Sequence, residues 1–130
     1  MNKTKRSVLI VDDEPRVLRF ISASLSLAGF EVSTCTNGEE ALKLAQQDKF
    51  DIIVLDLVMS PVSGFQVLKK LRAFSRVPVI AFSARTDFSD LAMENGADEF
   101  ISKPFRPDEL VKKIQEVACL MEAEERLPLG

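Results

Sequence analysis

Residues 7–15 read Ser-Val-Leu-Ile-Val-Asp-Asp-Glu-Pro, a continuous apolar run that stops at two aspartates. An apolar run without alternation is typical of a strand that is covered on both faces by helices. Similar runs recur along the chain, and each leads to a polar residue: Asp56 after Ile52–Leu55, Ser83 after Val77–Phe82, and Lys103 after Glu99–Ser102. Because the carboxyl ends of parallel strands meet at one edge of a sheet, this recurrence predicts a shared polar crevice.

Segments with helical spacing of apolar residues lie between these runs. Gly29 follows the first such segment as a candidate carboxyl-terminal cap, and Pro107 opens the last one with Asp108 and Glu109 beside it. The shorter and more polar run Val32–Cys35 is interpreted as an edge strand. The alternation makes five strand–helix units, which predicts an α/β fold with one parallel sheet and helices on both of its faces.

The composition fits a single domain and argues against binding of nucleic acid. The chain has 130 residues, of which 46% are hydrophobic, so one core can account for it. Its formal net charge is −3, and its 17 basic residues form no dense run. Direct contact of this segment with nucleic acid is therefore not expected.

Other features of the sequence indicate the cellular compartment of the protein. The apolar stretch after Arg6 is too short for a signal peptide, and no later stretch has the length of a membrane span. Two cysteines without any histidine support neither a disulfide framework nor a zinc site, so the expected location is cytoplasmic. We expect one domain over residues 1–121, and interpret residues 122–130 as the end of the last helix or the start of a linker.

The polar residues at the strand ends have the chemistry of a magnesium-dependent phosphoryl-transfer site. Asp12, Asp13 and Asp56 would repel one another at one edge unless a cation is present. Magnesium prefers oxygen ligands and is commonly held by one or two carboxylates and a phosphate oxygen. A carboxylate can also act as the nucleophile, and the ammonium of Lys103 can neutralise a phosphoryl group. The Ser83 hydroxyl could donate a hydrogen bond to that group, which would draw its loop inward only when phosphate is bound.

Together these residues resemble the receiver domain of bacterial two-component response regulators, from Ser7 to Met121. The matching motifs are Val-Asp12-Asp13-Glu14-Pro15, Leu-Asp56-Leu-Val-Met59 followed by Gly64, Ser83-Ala84, Gly96-Ala97-Asp98, and Lys103-Pro104-Phe105. The resemblance implies a flavodoxin-like, doubly wound sheet of five parallel strands in the order 2-1-3-4-5, with five helices.

The resemblance also implies roles for individual residues. Asp56 would accept a phosphoryl group from a histidine kinase or a phosphotransfer protein, Lys103 would contact that group, and the Lys103–Pro104 peptide would be cis. The cofactor would be Mg²⁺. The residues expected to bind it are Asp12, Asp13, Asp56 and Val58. The protein would catalyse only its own phosphorylation and dephosphorylation, and is not otherwise expected to be an enzyme.

The expected output of the switch is the surface built by the fourth helix, the fifth strand and the fifth helix. Ser83 and Phe100 would form the conformational switch, with Phe100 where the family commonly has tyrosine. The signal would leave through the face built by Asp87–Asn95, Glu99–Ser102 and Pro107–Met121, which is also the candidate surface for a homodimer. No membrane contact is expected.

Other classes of protein remain to be weighed against this one. A phosphatase of the haloacid-dehalogenase type would need a second aspartate two residues after its nucleophile, where Val58 stands. A flavodoxin-like mononucleotide binder would need backbone donors for phosphate in its first loop, which Asp12-Asp13-Glu14 would oppose. A degenerate receiver that acts as a phosphorylation-independent interaction module is the second candidate.

Two departures from the family pattern concern the surroundings of Asp56. Ser60 stands four residues after Asp56, where the family usually has proline, and Pro61 follows it. Val58 and Arg85 flank the expected position of the phosphorus. We expect these differences to change the kinetics of the site and not its competence.

Overall fold

The computed structural model describes the backbone of residues 5–126 and the side chains of residues 5–120. The strands are β1 Ser7–Val11, β2 Glu31–Cys35, β3 Ile52–Asp56, β4 Val79–Ser83 and β5 Glu99–Ser102. The helices are α1 Pro15–Leu27, α2 Gly38–Gln47, α3 Gly64–Arg72, α4 Ser89–Glu94 and α5 Pro107–Arg126. A single turn of 3-10 helix, Thr86–Phe88, precedes α4.

The five strands form one parallel sheet in the order β2-β1-β3-β4-β5. This confirms the predicted α/β class, the flavodoxin-like strand order and the position of β2 at an edge. The three inner strands are almost fully buried, which explains why their sequences are apolar without alternation.

Each face of the sheet has its own hydrophobic cluster. On one face Val8 and Ile10 of β1 pack with residues of α1 and α5. On the other face Leu9 and Val11 of the same strand pack with residues of α2, α3 and α4. Because neighbouring side chains of a strand point to opposite faces, one short run supplies both clusters and fixes the strand between two helical layers.

The bounds of β4 differ from those predicted from the sequence. The predicted strand Val77–Phe82 is observed as Val79–Ser83, because Pro78 has no N–H for the ladder and contributes only its carbonyl, which accepts from Ile53. At its other end the strand includes Ser83, which is paired with Ser102 of β5.

The helix expected around Leu91 and Met93 is only six residues long, and neither of these residues is the one that it buries. Its buried residue is Ala92, whereas Leu91 and Met93 are each 44% exposed. The apolar character of Leu91 and Met93 therefore did not predict which face of α4 packs on the sheet.

The amino terminus of α3 lies directly against the strand end that carries Asp56. The Ser63 hydroxyl accepts from Gln66 N–H at 3.3 Å, and the Gln66 side chain accepts from Ser63 N–H at 2.9 Å, which forms a capping box. Gly64 N–H donates to the Leu57 carbonyl at 3.0 Å. A Cβ at residue 64 would touch the main-chain oxygen of Asp56 and lie 2.6 Å from Leu57 Cα, so only glycine allows this approach.

The last helix extends into the segment after residue 121, interpreted from the sequence as the end of that helix or the start of a linker. The backbone is helical to Arg126, so residue 121 falls inside α5, and residues 127–130 lie outside the described part of the chain. Within residues 5–126 no helix combines the length and the apolar character needed to cross a bilayer.

Candidate functional site

The carboxyl edge of the sheet brings together the polar residues that end the strands. Asp12 directly follows β1, Asp56 ends β3, Ser83 ends β4, and Lys103 directly follows β5. Asp56 and Ser83 lie at nearly the same height along the sheet, because Asp56 is paired with Phe82, the residue before Ser83. The crevice predicted from the sequence is therefore present, and it is formed by residues up to 91 positions apart.

Three carboxylates converge in this crevice. Asp12, Asp13 and Asp56 each offer one oxygen, and these three oxygens lie within 4.8 Å of one another. Asp12 is fully buried, Asp56 is 3% exposed, and Asp13 is open to solvent. A set of oxygen donors with one solvent-facing member suits a hard divalent ion that retains water ligands, so these residues fit Mg²⁺.

The buried carboxylates share one ammonium group. Lys103 Nζ lies 3.3 Å from Asp12 Oδ2 and 3.5 Å from Asp56 Oδ2. The other oxygen of each carboxylate accepts a main-chain N–H: Asp12 Oδ1 accepts from Glu14 at 2.9 Å, and Asp56 Oδ1 accepts from Val58 at 3.1 Å. Both carboxylates are thus oriented by the backbone on one side and by Lys103 on the other.

Burial dominates the protonation of these groups. It raises the pKa of Asp56 to about 6, because the Val58 N–H and the charge of Lys103 only partly offset the desolvation of the carboxylate. The negative charges of Asp12 and Asp13 act in the same direction as burial. Burial also raises the pKa of Asp12. Lys103 alone therefore compensates the two buried carboxylates poorly. A further cation would favour the ionised form of both groups.

Ser83 links β4 to Lys103. Its side chain is fully buried, and its hydroxyl accepts from Arg85 N–H at 3.0 Å. Its carbonyl accepts from Lys103 N–H at 2.8 Å, so the two loops that carry these residues are joined through their backbones. Phe100 lies in β5 opposite Ala81, where its partly buried ring packs on the cluster next to α4.

The structure gives Val58 and Arg85 different surroundings. The Val58 side chain is 56% exposed beside the crevice and has no polar atom, so only its main-chain carbonyl could contact a metal. The Arg85 side chain is engaged within its own loop: its Nε and Nη2 donate to Asp87 at 3.0 and 2.8 Å, and its guanidinium lies 4.6 Å from the centre of the Phe88 ring. That ring packs edge-on against Phe65 of α3.

The peptide bonds before two prolines are cis. The Lys103–Pro104 bond is cis, as the family resemblance predicted. The Ser60–Pro61 bond, at the site of the departure from the family pattern, is also cis.

An apolar groove of about 670 Å³ adjoins the crevice. It lies between α1 and the β5–α5 connection, and Lys103 forms part of its wall. Its apolar lining includes Val17, Phe20, Ile21, Pro104, Phe105 and Pro107. The sequence did not predict this groove, because its residues belong to two segments far apart in the chain and no spacing pattern connects them.

Asp56→Asn should stabilise the metal-free protein above pH 6 and change its stability little near pH 4. The Asp56 carboxyl has its ordinary pKa of about 4 in the unfolded chain and a pKa of about 6 in the folded protein. The stability that the neutral carboxyl contributes is therefore present below about pH 4 and lost as the pH rises through about 6. We expect a gain of about 1–3 kcal/mol at about pH 7.5, measured by urea unfolding with a metal chelator. Glu31→Gln, at an exposed position of β2, is the control, and an equal gain at both pH values would contradict the assignment.

Known proteins resemble this chain in sequence. Residues 8–115 match the family described as the response regulator receiver domain. The probable transcriptional regulator ycf27 of Cyanidium caldarium is 40% identical over 118 residues, which cover 89% of this chain and 47% of that protein. The chain thus spans about half the length of the curated relatives it matches.

Solved structures agree with the same family. The chemotaxis response regulator CheY4 of Vibrio cholerae has a TM-score of 0.83 and 34% identity, with 88% of this chain and 99% of that chain covered. The response regulator TrrA of Thermotoga maritima, solved in complex with Mg²⁺ and BeF, has a TM-score of 0.79 and 32% identity, with 86% and 98% covered. The chain therefore belongs to the response regulator receiver domains, the signalling switches of two-component systems.

Proposed function

We propose that this domain is switched by phosphorylation of Asp56, with a histidine kinase or a phosphotransfer protein as the donor. The observation that carries the proposal is the position of Asp56: its carboxylate is buried beside two further aspartates and 3.5 Å from the Lys103 ammonium. An ordinary acid at a strand end would have neither the acidic neighbours nor a half-buried cation beside it. The similar protein TrrA has been solved with Mg²⁺ and a beryllium fluoride, which supports the same chemistry here.

The transfer exchanges one phosphorus bond for another. An oxygen of the Asp56 carboxylate attacks the phosphorus, the bond between phosphorus and the donor imidazole nitrogen breaks, and its electron pair remains on that nitrogen. Lys103 can turn from Asp56 Oδ2 to a phosphoryl oxygen, and the Ser83 hydroxyl can donate to another. Bound Mg²⁺, held by Asp12, Asp13, Asp56 and the Val58 carbonyl, would neutralise charge on the carboxylates and the phosphoryl group.

The groove beside Lys103 supports a protein as the phosphoryl donor. It opens next to the crevice, and Phe20 on its rim is 63% exposed. A large exposed aromatic next to a groove is a common feature of protein contact surfaces. A donor that covers the groove would bring its phosphohistidine to the carboxyl edge of the sheet.

Asp56 should be the only residue that becomes phosphorylated. Incubation with acetyl phosphate and Mg²⁺ should add one phosphoryl group to the native chain, and Asp56→Asn should abolish this addition, as followed by intact mass. Asp90→Asn, at an exposed position of α4, is the matched control and should be labelled normally. If Asp56→Asn is labelled as strongly as the native chain, the assignment fails. If the native chain is not labelled and does not bind beryllofluoride, the alternative of a phosphorylation-independent interaction module is favoured.

We further propose that the signal leaves through the face formed by α4, β5 and α5, which is also the candidate surface for a homodimer. The Ser83 hydroxyl accepts from Arg85 N–H in the loop that leads into α4, and the Ser83 carbonyl accepts from Lys103 after β5. A phosphoryl group that binds the Ser83 hydroxyl would therefore affect both elements at once. The exposed side chains of Leu91 and Met93 give α4 an apolar contact surface.

Binding of beryllofluoride with Mg²⁺ should change the amide chemical shifts of residues 87–95, 99–102 and 107–120. The physical reason is that a two-state element transmits the signal, and Ser83 couples the crevice to that element. The measurement is a pair of amide NMR spectra with and without beryllofluoride, and a spectrum with Mg²⁺ alone separates the effect of the metal. Changes confined to residues 15–48 would contradict the proposed face.

Val58→Asn should accelerate loss of the phosphoryl group. Hydrolysis needs a water aligned opposite Asp56, and the apolar Val58 side chain cannot orient it and crowds its approach. One missing positioning contact is worth roughly tenfold to a hundredfold in rate, and we expect an acceleration of that order. Arg85 offers a cation that could pair with the phosphoryl oxygens instead of activating a water; in this structure its guanidinium pairs with Asp87 at the exposed surface.

The rate is measured as phosphoryl loss after removal of the donor, with Mg²⁺ retained. Val58→Ala is the matched variant: it relieves crowding without supplying a hydrogen-bonding group. The mechanism predicts that asparagine accelerates hydrolysis more than alanine does. Equal or slower loss in Val58→Asn than in the native chain would count against it.

A further inference from the structure

The Lys103 ammonium has an aromatic neighbour in addition to the two carboxylates. Its Nζ lies over the Phe82 ring, 4.8 Å from the ring centre. The face of an aromatic ring attracts a cation within about 6 Å, most strongly where water is excluded. Lys103 is 21% exposed and Phe82 is fully buried, so this contact lies in a largely dry environment.

Phe82 is fixed more firmly than Lys103. In the sheet, Phe82 is paired with Asp56 of β3 on one side and with Ile101 of β5 on the other. Its carbonyl accepts from Leu57 N–H at 3.0 Å. The edge of the Phe105 ring packs against it, with the ring centres 5.7 Å apart and an angle of 88° between the planes. The ring is therefore held by the sheet backbone and by a second aromatic side chain.

Lys103, in contrast, is flexible and its contacts must change during the reaction. The ammonium is a point charge on a four-carbon stem with many conformations. When Asp56 takes up a phosphoryl group, the ammonium has to leave Asp56 Oδ2 for a phosphoryl oxygen. Asp12, at 3.3 Å, would otherwise compete for the charge at that moment. The Phe82 ring is a neighbour whose charge does not change in this step.

We propose that Phe82 is a positioning residue for phosphoryl transfer: the face of its ring keeps the Lys103 ammonium in the crevice, where it can contact the incoming phosphoryl group. The proposal rests on the proposed phosphorylation of Asp56 and assigns a function to a residue that would otherwise be only part of the core. Phe105 supports it by holding the ring edge-on.

The test replaces Phe82 with ring-fluorinated phenylalanines. Site-specific incorporation of 4-fluoro-, 3,5-difluoro- and 3,4,5-trifluorophenylalanine nearly preserves the shape of the ring while making its face progressively less negative. The initial rate of Asp56 phosphorylation by acetyl phosphate at saturating Mg²⁺ should fall stepwise along the series. We expect a total decrease of about threefold to tenfold, the range of a partly desolvated cation–π contact.

Two controls separate positioning from packing. Phe30 is buried in the same cluster but precedes β2, at the opposite edge of the sheet, so the same fluorinated residues there should leave the rate unchanged. In a Lys103→Met background, fluorination of Phe82 should leave the affinity for beryllofluoride unchanged, because the cation is absent. In the native background that affinity should decrease along the series.

A spectroscopic measurement tests the contact itself. The protons next to the Lys103 ammonium should show a ring-current shift in the native chain that disappears in Phe82→Leu. The proposal is overturned if fluorination leaves the rate unchanged, or if it lowers beryllofluoride affinity equally in the Lys103→Met background. If the unmodified chain is not phosphorylated on Asp56, the proposed function fails, and this outcome is distinct from a flat fluorination series on an active protein.

Discussion

The Lys103 ammonium lies between two buried carboxylates at the carboxyl edge of the sheet, and it is the closest cation to either of them among the ion pairs of the described residues. Burial raises the pKa values of Asp12 and Asp56, and the single positive charge of Lys103 offsets this effect only in part. A further cation would consequently favour the ionised form of both carboxylates.

The sheet makes this arrangement tolerable. The inner strands are held by clusters on both faces, so the ends of β1 and β3 have little freedom to separate and relieve the repulsion. Main-chain N–H groups at Glu14 and Val58 orient one oxygen of each carboxylate. The close approach of α3 through Gly64 restricts the connection after Asp56 in the same way. The rigidity that stabilises the fold is thus also what keeps like charges together.

The loop after β4 has a different character. Arg85, Asp87 and Phe88 contact one another, and Phe88 packs on Phe65, so the loop is ordered by side-chain contacts at the surface. An exposed ion pair of this kind contributes little to stability. Together with the shortness of α4, this makes the segment after Ser83 easier to rearrange than the strands. The proposed change of hydrogen bonding at Ser83 would act on this segment.

The sequence by itself determined the architecture, the order of the elements and the residues that gather at one edge. Unbroken apolar runs, helix boundaries such as Gly29 and Pro107, and polar residues at the strand ends carry that information locally. The family motifs added the strand order and the cis bond at Lys103–Pro104, which the structure confirms. The roles assigned to Asp56, Lys103 and Ser83 remain predictions, although the structure brings these residues together. Only the tertiary structure decided which side chains meet outside those motifs. Leu91 and Met93 are exposed because α4 is short and turns Ala92 to the sheet. The ring of Phe82 lies under Lys103 because β4 and β5 are neighbours in register, a relation that no local pattern encodes. Such contacts depend on the packing of distant segments, and a spacing rule along the chain cannot represent them.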